Sequence, residues 1–111
     1  PGLCTRFVSS HFEALPAFLA LADAGECEIQ CLPLGVITRV FAAQARGEDS
    51  RVSGVGVGTF LDPRTGSGSR LTAGPSEPLI VAAGERLRFR LPPIDVAICN
   101  LPAADRRGNI Y

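Results

Sequence analysis

Three glycines at alternate positions, Gly54, Gly56 and Gly58, run directly into Thr59-Phe60-Leu61-Asp62-Pro63-Arg64. Without Cβ atoms, a ligand can come close to the main chain, and the backbone is free to take positive φ. Amides exposed in this way stabilise anionic oxygen, either a phosphate or the oxyanion of an acyl transfer. The spacing is G-x-G-x-G, not the dinucleotide fingerprint G-x-G-x-x-G. A P-loop is excluded, because it needs a lysine and the chain has none. On spacing alone the stretch reads equally as a Gly-rich turn whose small residues permit close packing. Asp62 and Arg64 are expected to pair with each other and hold the loop.

Other reactive side chains fall to plainer readings. The absence of lysine excludes a Schiff base within the chain. His11 is the one histidine, the side-chain type suited to acid–base work, but no Ser or Cys partner stands at a recognisable spacing, so a structural role is expected. Cys27 and Cys31 are four residues apart, which on one strand is too far for easy bridging. Zinc would need shorter Cys-x-x-Cys spacing and further ligands. Cys4, Cys27, Cys31 and Cys99 are therefore read as buried free thiols, and no metal site is expected. Glu13, Glu26, Glu28, Glu48, Glu77 and Glu85 each read as solvated or capping residues, and no catalytic residue is assigned within the chain.

These residues are positioned by an alternation of strands and helices. Leu3 to Ser9 reads as a short strand. Ser10 with Glu13 suggests a capping box, followed by Leu15, Phe18, Leu19 and Ala22 at helical spacing until Gly25. Cys27 to Leu32 alternates, with Cys27, Ile29 and Cys31 on the buried side and Glu28 and Gln30 on the other. Pro33 opens a second helix with Val36, Ile37, Val40, Phe41 and Ala45 as its apolar face. Arg51 to Phe60 comes next, then a polar loop from Thr65 to Arg70 that is expected to be mobile or to face a ligand. Pro78 to Ala83, a Gly84-Glu85 turn and Arg86 to Leu91 read as a hairpin, with Arg86, Arg88 and Arg90 on its solvated face. Ile94 to Leu101, almost wholly apolar, reads as a central parallel strand covered on both faces. Asp105 to Asn109 reads as a turn.

This order predicts an α/β fold: a three-layer α/β/α domain over residues 1–111, with a mostly parallel sheet and a late antiparallel hairpin. An apolar fraction of 46% agrees with a globular core. Zero net charge gives no reason to expect a nucleic-acid partner. No run approaches the roughly 18 apolar residues of a membrane span, so no membrane partner is expected. The chain opens Pro1-Gly2-Leu3-Cys4, contains no Met and is expected to be an internal piece of a longer protein.

Four segments in order carry a resemblance: Leu32-Pro33-Leu34-Gly35-Val36-Ile37, Gly54 to Arg64, Pro93-Ile94-Asp95-Val96-Ala97, and Ala104-Asp105 with Gly108-Asn109-Ile110. Together they are similar to the α part of family I CoA transferases of the acetate, propionate and acetoacetate type. The resemblance runs from Leu3 onward and implies a CoA-transferase-like fold. It implies transfer of coenzyme A between a short-chain acyl-CoA and a carboxylate or 3-oxo acid, as in ketone-body or propionate metabolism. The route implied is ping-pong, through a glutamyl-CoA thioester, with the glutamate supplied by a β half or β subunit. Gly54, Gly56, Gly58 and Thr59 would line the acyl and thioester pocket, with Phe60 beneath or beside it and Leu34 and Gly35 at the helix start. Coenzyme A is then a substrate, with no permanently bound cofactor, and a cytoplasmic oligomer is expected, in which the isolated piece is inactive. The family pattern has Gln where Leu34 stands and Asn where Thr72 stands. Rival readings are a non-catalytic α/β binding module, an acyl-CoA hydrolase or lyase-associated relative, and a sugar-phosphate isomerase of similar fold.

Overall fold

The computed structural model describes residues 2–111. Strand β1 (Arg6–Ser9) pairs in parallel with β2 (Glu28–Cys31), Arg6 opposite Glu28 and Ser9 opposite Cys31. Between them lies α1 (Pro16–Asp23). The helix starts at Pro16 rather than at Ser10. Proline lacks the N–H that a first-turn residue would leave unpaired, so it fits there. Ser10 does not cap. Its Oγ lies 2.7 Å from His11 Nδ1, and Glu13 Oε2 accepts the Phe12 amide at 3.0 Å. Phe18 on α1 stacks on Phe7 of β1, ring centroids 4.1 Å apart. Gly25, at φ 72°, turns the chain out of the helix.

Gln30 corrects the expected alternation along β2. It is as deeply buried as Ile29, so the strand is covered on both faces. The second edge of β2 is closed by residues 69–72. The Cys31 amide donates to the Ser69 carbonyl at 2.6 Å, Leu71 N–H donates to the Ile29 carbonyl at 2.9 Å, and Ile29 N–H donates to Thr72 Oγ1 at 2.8 Å. The stretch after Arg64 is therefore a built connection rather than a loose one, and Thr72 serves as an edge acceptor.

Helix α2 (Leu34–Gln44) begins immediately after Pro33 and buries Val36, Val40 and Ala43, while Phe41 stays 42% exposed. The second sheet has the order β3 (Ser50–Ser53), β5 (Arg86–Arg90), β4 (Ile80–Ala83), antiparallel throughout. The hairpin is as expected, with Leu87 and Phe89 buried and Arg86, Arg88 and Arg90 exposed. The core joins Leu32, Val36, Val40, Leu61, Leu79, Ile80, Leu87 and Phe89, binding α2 to this sheet.

The α/β class stands, with parallel and antiparallel strands as expected. The distribution differs: parallel pairing among the described residues is confined to β1 and β2, because β3 joins the hairpin. Ile94 to Leu101 forms no strand, a second correction. Val96 and Ile98 are 76% and 95% exposed, since no neighbouring strand among the described residues offers the segment a ladder. Cys99 is exposed for the same reason, and of the four thiols expected to be buried Cys27 alone is fully so. Residues 94–111 run off the body, which fits a radius of gyration of 15.6 Å against about 13 Å for a compact chain of similar length. The expected turn is present: Asp105 Oδ1 accepts the Arg107 and Asn109 amides at 2.8 and 2.9 Å. Among the described residues no helix is long and apolar enough to cross a membrane.

Candidate functional site

The glycine stretch continues from β3 as a chain of tight turns. Val57 N–H donates to the Gly54 carbonyl, Thr59 N–H to the Gly56 carbonyl, and Asp62 N–H to the Thr59 carbonyl, at 3.3, 3.1 and 3.1 Å. Thr59 Oγ1 donates to the Gly56 carbonyl at 2.7 Å. Gly56 and Gly58 have φ of 83° and 75°, a region that costs other residues about 1–2 kcal/mol. The alternate glycines are thus in part a requirement of the turns.

Asp62 is the internal post of the loop, at 2% exposure. Oδ1 accepts from Arg64 Nε at 2.8 Å and from the Arg64 amide at 3.0 Å; Oδ2 accepts from Arg64 Nη2 at 2.8 Å and from the Gly58 amide at 3.0 Å. The Arg64 guanidinium, and then the Gly58 amide, hold this carboxyl far below the usual carboxylate range. Arg64 Nη1 reaches on to the Gly84 carbonyl at 2.8 Å and so ties the loop to the hairpin turn. The expected Asp62–Arg64 pair is present and holds the loop.

The three glycines face different ways. A Cβ on Gly54 or Gly58 would meet nothing within 4 Å, whereas one on Gly56 would touch Leu61 Cβ at 3.2 Å and Leu87 Cδ1 at 3.6 Å. Gly56 therefore packs on the core. Gly54 and Gly58 lie open, flanked by Val55, Val57 and Phe60, all at least 40% exposed. Phe60 is the most exposed of the three, at 54%. The amides of Gly58 and Thr59 are engaged within the loop, which leaves open apolar surface, rather than free donors, at those two positions.

Leu34 is 55% exposed and Gly35 has open space beside it, both in the first turn of α2. Their link to the loop runs through the core, where Val36 and Leu61 share one cluster. An open hollow of about 580 Å³ lies elsewhere, between the C-terminal end of α2 and Arg90–Ile94, lined by Phe41, Gln44, Leu91 and Ile94 among others. None of the candidate residues lines it.

Of the acidic side chains, Glu48 pairs with Arg46 Nε and Arg51 Nη1, each at 2.9 Å. Glu28, expected to be solvated, instead accepts the Ser76 amide at 3.1 Å and holds that turn against β2. Among the described residues the His11 ring hydrogen-bonds its exposed neighbour Ser10, a surface contact without a buried orienting group. Sequence reading missed Gln30. Its Oε1 accepts from Ser69 Oγ at 2.6 Å, and its Nε2 donates to the Glu77 carbonyl at 3.1 Å. That network fixes the return of the chain from the loop to β4, and a polar residue on the outward side of an alternating strand gave no sign of it.

No family model matches the chain. Over 98% of its length it is 33% identical to a caffeate CoA-transferase of Acetobacterium woodii, and over 96% it is 28% identical to the acetate CoA-transferase YdiF of Escherichia coli K12. The chain spans about a fifth of the length of these relatives, 21% in both cases. The crystal structure of the acyl-CoA transferase YdiF apoenzyme from E. coli O157:H7 superposes on 75% of the chain with a TM-score of 0.65 at 28% identity, covering 17% of that enzyme. A YdiF thioester complex with CoA gives the same score. By sequence and by fold, then, the chain is homologous to one segment of the CoA-transferases.

Proposed function

We propose that the chain is part of an enzyme that transfers coenzyme A between a short-chain acyl-CoA and a carboxylate or 3-oxo acid. The open surface over Gly54 and Gly58, with Thr59 and Phe60, faces the acyl group and thioester. Leu34 and Gly35 border the same site from the start of α2, and Gly56 supports it from the core side. A glutamate outside these residues attacks the thioester carbonyl and displaces CoA thiolate to leave an acyl-glutamyl anhydride. The thiolate then attacks the glutamyl carbonyl, releasing the first acid and forming glutamyl-CoA. The acceptor carboxylate then takes the CoA and frees the glutamate. Coenzyme A enters and leaves as a substrate. The glutamate comes from a β half or β subunit, in a cytoplasmic oligomer serving propionate or ketone-body metabolism.

The observation that carries this reading is the rigid seat of an open loop. Asp62, Arg64 and the Gly84 carbonyl lock it from below, while its upper side presents bare glycine between exposed Val55, Val57 and Phe60. A contiguous exposed apolar patch on a fixed scaffold marks a binding surface. A carboxylate-attack route needs apolar walls around the acyl chain, and the loop offers them.

The test is CoA exchange by the intact protein, with acetyl-CoA as donor and labelled propionate as acceptor. A caffeate arm covers the aromatic acid named for one relative. Transfer with ping-pong kinetics and a hydroxylamine-sensitive protein-bound CoA supports the reading. Binding of acyl-CoA without exchange points to a non-catalytic module. Release of free CoA without an acceptor points to a hydrolase.

A further inference from the structure

The parallel pairing of β1 with β2 brings together two cysteines that the sequence holds 23 positions apart. Cys4 Sγ and Cys27 Sγ lie 4.0 Å from each other, in contact and unbonded. Cys4 stands two residues before β1 and Cys27 one residue before β2. The Glu28 amide donates to the Thr5 carbonyl at 2.9 Å, directly beside the pair, and fixes the two backbones side by side. Arg6 stands opposite Glu28, so Cys4 and Cys27 are diagonal neighbours across strands about 4.8 Å apart. At 4.0 Å the two sulfurs stand about 2 Å beyond the length of an S–S bond. The access of the two differs: Cys27 is buried, at 4% exposure, and Cys4 is half-buried. Cys31, four residues along the same strand, contacts neither.

We propose that Cys4 and Cys27 are a modification site, a dithiol that closes to a disulfide on reaction with a hydroperoxide. Cys4, the sulfur a reagent reaches, attacks the distal oxygen of the hydroperoxide as thiolate. The O–O bond breaks, an alcohol leaves and Cys4 becomes a sulfenic acid. The Cys27 sulfur then attacks the Cys4 sulfur, and the hydroxyl departs as water with the Cys27 proton. The two thiols lose two electrons and two protons together, and the hydroperoxide is reduced to alcohol and water. Burial pushes the Cys27 thiol up. The bond staples the start of β1 to the start of β2. This inference stands on the sulfur geometry and not on the transferase reading.

The experiment uses the intact protein with Cys99→Ser, which removes the exposed thiol, treated with a stoichiometric alkyl hydroperoxide. Free thiols are then alkylated and the digest is mapped by mass. The expected result is a Cys4–Cys27 cross-linked peptide short of two hydrogens, restored to two alkylated peptides by dithiothreitol, with Cys31 alkylated throughout. Cys4→Ser should abolish the cross-link and leave Cys27 alkylated, and the oxidised protein should melt higher than the reduced one. Recovery of Cys4 and Cys27 as separate alkylated thiols, or of Cys4 as sulfinic acid with Cys27 still free, overturns the proposal. So does a cross-link that joins Cys31 instead.

Discussion

Arg64 grips Asp62 with two parallel hydrogen bonds, Nε to Oδ1 and Nη2 to Oδ2, both at 2.8 Å. Its third nitrogen reaches across to the hairpin at Gly84. One planar fork thus joins three segments: the Gly58 turn through Asp62, the loop itself, and the β4–β5 connection. Lysine supplies a single point charge and cannot reproduce the fork. Arg64→Lys is expected to lower CoA-exchange activity about tenfold or more, through misplacement of the loop. Arg64→Ala should lower it further and speed proteolysis between residues 54 and 68. Steady-state kinetics beside limited proteolysis check both effects.

The same pair predicts how stability depends on pH. Arg64, and after it the Gly58 amide, holds the Asp62 carboxyl far below its ordinary value in the folded chain. A depressed carboxylate contributes stability fully above its unfolded pKa of about 3.9. As pH falls from there toward the folded value, the unfolded state takes up the proton first and the contribution is lost. Glu48, held down first by Arg46, and Asp105, held down first by Asn109, act in the same sense. Urea midpoints of wild type and Asp62→Asn should differ most near neutral pH and converge below about pH 4. A gap that widens on acidification contradicts this assignment.

Gly56 and Gly66 are expected to matter for folding more than for binding. Gly56 combines φ 83° with a packed site against Leu61 and Leu87. Gly56→Ala should cost about 2–5 kcal/mol in urea denaturation, the sum of left-handed strain and crowding. A Cβ on Gly66 would run into the Phe60 backbone, which cannot yield as a flexible side chain would. Gly66→Ala should therefore displace the Phe60 carbonyl and break its bond from Gly68 N–H. Weakened amide-exchange protection at Gly68 reads that loss directly.

Gln30→Leu tests the buried polar network. Leucine fills much of the same volume but takes away the acceptor of the buried Ser69 hydroxyl proton, while the Glu77 carbonyl keeps Arg6 Nη2 and Ser69 Oγ keeps the Leu79 amide. A buried hydroxyl stranded in this way costs about 1–3 kcal/mol, so chemical denaturation should show a loss in that range despite the more apolar side chain. Stability equal to wild type contradicts the network's role.

Much of the scaffold was legible because its signals are local. Leu87 and Phe89 alternate with Arg86, Arg88 and Arg90, and Gly84 marks the turn between the arms, so the hairpin comes from pattern alone. Pro33 with the spacing of Val36 and Val40 places α2 in the same way. The misreadings are long-range. Nothing near Gln30 announces that residues 69–79 will cover it, and nothing near Ser50 says that β3 will pair with Arg86–Arg90 instead of a parallel neighbour. Ile94 to Leu101 has the composition of a covered strand, yet no described strand lies beside it, and composition cannot supply a partner. At the site, the Asp62–Arg64 pair was readable because its members are two residues apart. The inward turn of Gly56, the outward stance of Phe60 and the commitment of the Gly58 amide to Asp62 depend on φ values that residue types permit without specifying.

Gly54 separates a binding surface from a merely tight turn. It has no positive φ, and a side chain there would meet no protein atom within 4 Å. Gly54→Val should thus leave the melting temperature unchanged and obstruct only what binds above the loop. The decisive measurement is kcat/KM for acyl-CoA to carboxylate exchange by the intact Gly54→Val protein. A binding role for the loop requires a fall of about a hundredfold or more at unaltered thermal stability, and full turnover with the valine in place would refute that role.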